Sequence, residues 1–302
     1  MSDSKRLSII GAGLMGAAVA ERFSQFGFHV TAWNRTFEKT QQLLDGGAVK
    51  VAAKTPKEAM EASDIIWVAI SDSKPFVEMI ESCGKEGVVK GKRFLMQTTL
   101  LPKEAKAIEK VVEANGGGVS NLVTYSYPDA IKTGTSKIIF SGKHYDFWKP
   151  YLEKVATDCH FQSESIWAVG LVEGGGVLQY FGVIQSYWRY LAILTSHGEN
   201  LQPSFDVILA PKDNTSRAPF VESWKDNIVN RNYDKVLYKV NTAIEELERM
   251  REFCESVGLE RERALLQENF VKARDMGFGE KDHTAVFEVY LHEIKESLEK
   301  SK

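Results

Sequence analysis

The chain has 302 residues, three cysteines, and a formal net charge of −3 with a pI near 6.1. That balance argues against a polyanion partner, because nucleic-acid binders concentrate excess Lys and Arg on one face. Cys83, Cys159 and Cys254 are too few and too scattered for a disulfide framework or a Cys-rich zinc site, and the six histidines show no metal-ligand spacing. No run of 18 apolar residues offers a membrane span, and the opening MSDSKRLSII is polar before it turns strand-like, unlike a signal peptide. The expectation is a soluble cytoplasmic protein with no metal, nucleic-acid or membrane partner.

Residues 7–10 (LSII) read as a short buried strand, followed at once by GAGLMG and a helical stretch AAVAERFSQFG that stops at Gly27. Further strand-like runs follow at 28–33, 64–70, 93–98 and 137–142, separated by helical segments. Near-continuous apolar strands alternating with helices predict a doubly wound parallel sheet, an α/β Rossmann domain over residues 1–165. From about residue 166 to 302 strand-like runs largely disappear and an all-α domain is expected. VLQYFGVIQSYWRYLAIL (177–194) is apolar around nearly the whole helical circumference, so it must be covered on all sides. A long interdomain helix over about 173–198 is predicted there, packed inside a helical domain or a dimer. Amphipathic helices are expected at 218–231, 239–257, 262–276 and 284–300.

Gly11, Gly13 and Gly16 complete GxGxxG between a strand and a helix, the context in which this pattern marks a dinucleotide site. Gly11 allows the tight turn, Gly13 the approach of a pyrophosphate, and Gly16 close helix–strand packing. Leu14 and Met15 belong to the same loop. An acidic residue about 20 positions on would accept the ribose 2′-hydroxyl of NAD and repel a 2′-phosphate. This chain instead carries Asn34, Arg35 and Thr36, with Lys39 one turn later. A guanidinium fork, a hydroxyl and an ammonium suit a phosphate, so NADPH (NADP+) is the expected cofactor.

MQTTLLPKEA (96–105), YSYPDAIKTGTSKIIFSG (125–142), GLVEGGGVLQYFGVIQSYW (170–188) and ARDMGFGEKDHTAVFEV (273–289), together with WNRTFEK, resemble the imine reductases and reductive aminases of the β-hydroxyacid dehydrogenase superfamily. The resemblance spans essentially the whole chain. It implies an NADPH-binding Rossmann domain, a long connecting helix, and a helical domain exchanged in an obligate homodimer. It adds Ser71 and Thr98 to the cofactor contacts, and Tyr127, Tyr187 and Trp188 to the substrate pocket.

Hydroxyacid dehydrogenases of the superfamily carry a lysine on the long helix. The corresponding position here is Tyr180, and residues 168–198 contain no lysine. Imine reductases place aspartate or tyrosine there, so the resemblance makes Tyr180 the candidate proton donor. Its phenol is neutral at pH 7, with an unperturbed pKa of about 10. Reductive aminases tend to have an asparagine where this chain has Thr98 and Thr99; Thr99 is the second candidate catalytic residue, and reduction of a preformed imine is favoured over amine recruitment. The alternatives are an NADPH-dependent carbonyl or β-hydroxyacid reductase and a non-catalytic NADPH-binding protein.

Overall fold

The computed structural model describes residues 5–205 and 218–300. The chain divides into two compact units, residues 1–173 and 174–302. Unit 1 begins with β1 (Arg6–Ile10), α1 (Leu14–Gln25), β2 (His29–Trp33), α2 (Phe37–Asp45) and β3 (Val51–Ala52). It continues with α3 (Pro56–Ala62), β4 (Ile65–Val68), α4 (Lys74–Lys85), β5 (Arg93–Gln97), α5 (Pro102–Ala114) and β6 (Gly118–Thr124). It closes with α6 (Pro128–Thr133), β7 (Ser136–Gly142), α7 (Tyr145–Val155) and β8 (Ala156–Ser163). The strand order is β3-β2-β1-β4-β5-β6-β7-β8. Helices cover both faces: one apolar cluster joins Phe23, Trp67, Phe140, Trp148 and Leu152, and the other Phe76, Ile80, Phe94, Ile108 and Val112.

The expected α/β unit is present, with two differences. β7 runs antiparallel to β6, so the sheet is mostly rather than wholly parallel. A parallel crossover needs a dozen or more residues, and the connection 125–135 holds only the short α6. β3, β6 and β8 were not expected from the sequence. β6 (GVSNLVT) carries Gly, Ser and Asn, which hide its period although Ser120 and Asn121 are buried. β8 (ATDCHFQS) ends the strand order and is mostly uncovered, so it reads polar, as an edge strand can.

α8 (Ala168–Ser196) starts in unit 1 and continues into unit 2. α9 (Gln202–Ser204), α10 (Ala218–Val229), α11 (Val240–Arg249), α12 (Arg251–Ser256), α13 (Glu260–Ala273) and α14 (Val286–Lys300) follow. The single helix expected at 239–257 breaks at Met250 into α11 and α12. The one expected at 262–276 ends at Ala273, giving way to a π-turn in which Gly277 takes φ 94°. In unit 2, Phe181, Ile184, Trp188 and Leu191 form a buried row along α8 at helical spacing. Arg263 is buried there as well: it donates to both carboxylate oxygens of Glu260, to Gln267 and to the Leu247 carbonyl, so its charge is fully engaged. Elsewhere on α8 Tyr180, Tyr190 and Ile193 are exposed within one chain.

The first turn of α8 rests directly on the loop after β5. A Cβ at Gly170 would lie 2.1 Å from the Leu100 carbonyl oxygen, an approach no side chain survives without backbone movement. Gly170→Ala is expected to cost about 1–3 kcal/mol through that displacement, read as a lowered midpoint in thermal or urea unfolding.

Candidate active site

The glycine loop lies at the carboxyl ends of the neighbouring strands β1 and β4, where the strand order reverses: β2 and β3 lie beyond β1 on one side and β5 beyond β4 on the other. Open α/β sheets bind ligands in the crevice at such a switch point. Gly11 takes φ +101°, and a Cβ there would meet the Ala69 carbonyl oxygen at 2.1 Å. A Cβ at Gly16 would lie 1.8 Å from the carbonyl oxygen of Gly11. These two contacts draw the start of α1 against the loop and the end of β4. Gly13 is different, because a Cβ there would meet nothing within 4 Å. Its backbone borders open space, and no side chain caps α1 behind it. Uncapped N–H groups at a helix N-terminus fit a pyrophosphate. Leu14, exposed, and Met15, half-buried, flank the opening.

Asn34 occupies a position the sequence marks as a cofactor contact, and it also performs a local structural task. Its Oδ1 accepts from Ala12 N at 3.0 Å and its Nδ2 donates to the Thr36 carbonyl at 3.0 Å. The side chain thereby ties the phosphate loop to the turn after β2. Arg35, Thr36 and Lys39 are exposed around that turn, and the Thr36 side chain does not cap α2. Two cations at the N-terminal end of α2, where the helix dipole is positive, favour an anion.

Across the switch point, Thr98 is buried and its Oγ1 donates to the Ile70 carbonyl at 2.8 Å, joining the ends of β4 and β5. Ser71 is exposed and Thr99 half-buried nearby in sequence. Tyr127 is exposed at the start of α6. Tyr125, two residues earlier, was not singled out from the sequence. Burial and the hydrogen-bonded carboxylate of Glu173 push its phenol well above the ordinary tyrosine range, so it stays protonated.

Unit 2 carries Tyr180, Tyr187 and Trp188 on α8. The Tyr180 ring is part-exposed, and its hydroxyl lies 3.3 Å from Nε2 of the buried His283. Trp188 is fully buried, its ring set edge-on to His283 with centroids 5.3 Å apart. Tyr187 is half-buried. His283 and its neighbour Asp282 escaped the sequence reading although they sit in the quoted stretch KDHTAVFEV. An adjacent Asp–His pair has no fixed geometry until a fold orients it.

Asp282 is held by four donors. Its Oδ1 accepts from Thr284 N and Thr284 Oγ1, and its Oδ2 from the N–H groups of Leu237 and Tyr238. Burial pushes its carboxyl pKa up, but the pairing with His283 and these donors outweigh burial and hold it well below the usual carboxylate range. Arg189 stacks on the Tyr290 ring at 4.7 Å.

A 370 Å³ pocket in unit 2 is lined by residues including Gln185, Arg189, Asn269, Lys272 and Glu293. Among the described residues no cluster of His, Cys, Asp or Glu could hold a metal, and no helix is long and apolar enough to cross a membrane.

Residues 6–163 match the pattern of the NAD binding domain of 6-phosphogluconate dehydrogenase. A cytokine-like nuclear factor N-PAC of Danio rerio is 31% identical over 115 residues, 37% of this chain and 24% of that protein. The chain thus spans about a quarter of the length of that relative. An NADPH-dependent reductive aminase of Aspergillus oryzae is 24% identical over 148 residues, 48% of each. Among solved structures, a 3-hydroxyisobutyrate dehydrogenase from Salmonella typhimurium superposes with a TM-score of 0.76 at 18% identity, covering 94% of this chain and 99% of that one. An imine reductase from Myxococcus stipitatus in complex with NADP+ gives 0.61 at 21% identity, covering 95% and 99%. At such identities the structural likenesses speak for the fold.

Proposed function

Because the chain belongs to the family of the NAD binding domain of 6-phosphogluconate dehydrogenase, we propose that it is an NADPH-dependent reductase acting on the C=N bond of an imine. The observation that carries the choice of substrate is Tyr180: a phenol stands on α8 where a hydroxyacid enzyme would need an amine, and residues 168–198 hold no lysine. The Aspergillus reductive aminase and the Myxococcus imine reductase support the same reading. A β-hydroxyacid or carbonyl reductase is the second reading, favoured by the larger TM-score of the 3-hydroxyisobutyrate dehydrogenase.

The residues present fit the cofactor. The uncapped N–H groups behind Gly13 would hold the pyrophosphate, and Arg35, Thr36 and Lys39 the 2′-phosphate. Ser71, Thr98 and Thr99 are the proposed contacts toward the nicotinamide end. When bound, NADPH supplies the hydride. Tyr180 Oη donates the proton that the substrate nitrogen or oxygen gains, and Tyr187 and Trp188, on the same helix, give it an apolar, water-poor surround. We place the enzyme in the cytoplasm as an obligate homodimer whose helical units are exchanged. The exposure of Tyr180, Tyr190 and Ile193 on the otherwise apolar α8 supports a second copy there.

Four measurements test this reading. NADPH is expected to bind far more tightly than NADH, and Arg35→Ala to weaken NADPH selectively by about 1.5–3 kcal/mol, the worth of a charge-assisted contact; equal affinities in the unmodified protein contradict it. Tyr180→Phe keeps the ring and removes the hydroxyl, so turnover is expected to fall by about 10²–10⁴-fold while NADPH affinity holds. An NADPH-consumption screen over cyclic imines, ketone–amine mixtures and short keto acids decides the substrate class. Light scattering at micromolar concentration is expected to show a dimer with an interface above about 2,000 Å²; a stable, active monomer refutes it.

A further inference from the structure

We propose that His283, held by Asp282, is the proton store that recharges Tyr180, so that the donor is a three-residue relay rather than a lone phenol. The proposal rests on the reading of Tyr180 as the proton donor and extends it inward. All three residues lie in unit 2, and the two inner ones are nearly inaccessible, with His283 and Asp282 each 1% exposed. A buried phenol–imidazole–carboxylate chain with one partly exposed end can move a proton inward or outward along a single line.

The distances define that line. Tyr180 Oη and His283 Nε2 lie 3.3 Å apart, and His283 Nδ1 lies 3.2 Å from Asp282 Oδ1. The second contact is within ion-pair range but poorly aligned for a hydrogen bond, and Nδ1 has no hydrogen-bond partner among the described residues. A buried ring nitrogen left this way is costly unless it carries a proton toward a charge. Asp282 supplies the charge and cannot turn away, because Thr284, Leu237 and Tyr238 pin both of its oxygens. The imidazole cannot tip either: Trp188 meets it edge-on, Tyr238 does the same at 5.6 Å, and the Tyr180 ring lies nearly parallel to it at 6.5 Å.

The groups facing His283 favour a cycling charge. Tyr180 approaches from α8, Asp282 from its own segment, and Tyr238 from the stretch before α11. The Tyr238 hydroxyl donates to Glu246, whose own carboxyl pKa burial pushes up. Asp282 is therefore the ionised partner within reach of the ring, and an imidazolium there is charge-balanced.

The proton balance follows. With hydride delivered to the substrate carbon, the new N–H or O–H bond forms as the Tyr180 Oη–H bond breaks. The phenolate oxygen takes the proton from His283 Nε2. The imidazole is left neutral, keeping Nδ1–H toward Asp282, and regains its proton from water through Tyr180 Oη, the exposed end of the chain. A substrate that arrives as an iminium already carries the proton and bypasses the relay.

His283→Gln separates a relay from a mere support. The amide nitrogen of Gln can take the place of Nε2 and hold Tyr180, yet it cannot pass a proton on. Reduction of a ketone or weakly basic imine is expected to fall by about 10²-fold in kcat with KM little changed, while a strongly basic cyclic imine is reduced nearly as before. The pH dependence of turnover should also differ between the variant and the parent protein. Equal losses on both substrates with an unmoved pH profile, or no loss at all, overturn the relay.

A second readout needs no turnover. In the full-length protein labelled at His and Tyr rings, NMR titration over about pH 5–9 spans the histidine range. His283 should titrate at a different midpoint in Tyr180→Phe, and the Tyr180 ring carbon should shift in His283→Gln. Absence of this reciprocal shift overturns the proposal even if imines are reduced. Its presence in a protein that reduces no imine or ketone refutes the proposed function and leaves the proton coupling standing.

Discussion

Two backbone contacts without room for a side chain organise the cofactor unit. Gly16 presses on the Gly11 carbonyl and Gly11 on the Ala69 carbonyl, so α1 starts almost on top of the sheet at the ends of the paired strands β1 and β4. Everything assigned to the cofactor depends on that approach. It aims the uncapped N–H groups of α1 past Gly13 into open space, and it brings Ala12 within reach of Asn34. Asn34 then locks the turn bearing Arg35 and Thr36 to the loop. A carboxylate in its place could still accept from Ala12 but could not donate to Thr36, so the amide serves the loop as well as removing a negative charge.

α8 plays the corresponding part for the chemistry of the helical unit. Its apolar residues differ in covering. Phe181, Ile184, Trp188 and Leu191 are sealed within one chain, whereas Tyr180, Tyr190 and Ile193 are not. Tyr180 thus stands at the border, with its ring part-exposed and its hydroxyl turned toward the buried His283. A phenol fully inside would reach no substrate, and one fully outside would gain nothing from the Asp282 charge. Polar groups in a low-dielectric interior interact more strongly than at a surface, which is why a buried carboxylate pinned by four donors is an effective anchor for an imidazole.

Residues 168–198 hold no lysine, and the buried His283 faces Tyr180. An amine carries its own charge to the substrate heteroatom. A phenol is neutral, so its capacity to give a proton and regain it depends on what stands behind it. In the proposed relay the Asp282–His283 pair provides that support, with His283 103 positions further along the chain than Tyr180.

Much was legible in the sequence because it is written in local terms. Gly11, Gly13 and Gly16 announce their loop by their spacing: Gly11 and Gly16 leave no room for a side chain, and Gly13 borders open space. Apolar runs announce β1, β2, β4, β5 and β7, because strands covered on both faces must be apolar throughout. The lysine-free helix and its Tyr180 were also readable by counting. What the sequence hid is whatever depends on neighbours distant in the chain. β6 and β8 are polar enough to pass for loops, and only pairing with β5 and β7 makes them strands. The antiparallel turn of β7 follows from a connection too short to cross the sheet. Asp282 and His283 are two ordinary residues in a row until the fold sets one against four donors and the other beneath Tyr180. Periodicity records which side of an element is covered, but it carries no record of which distant group does the covering, and proton chemistry depends on that identity.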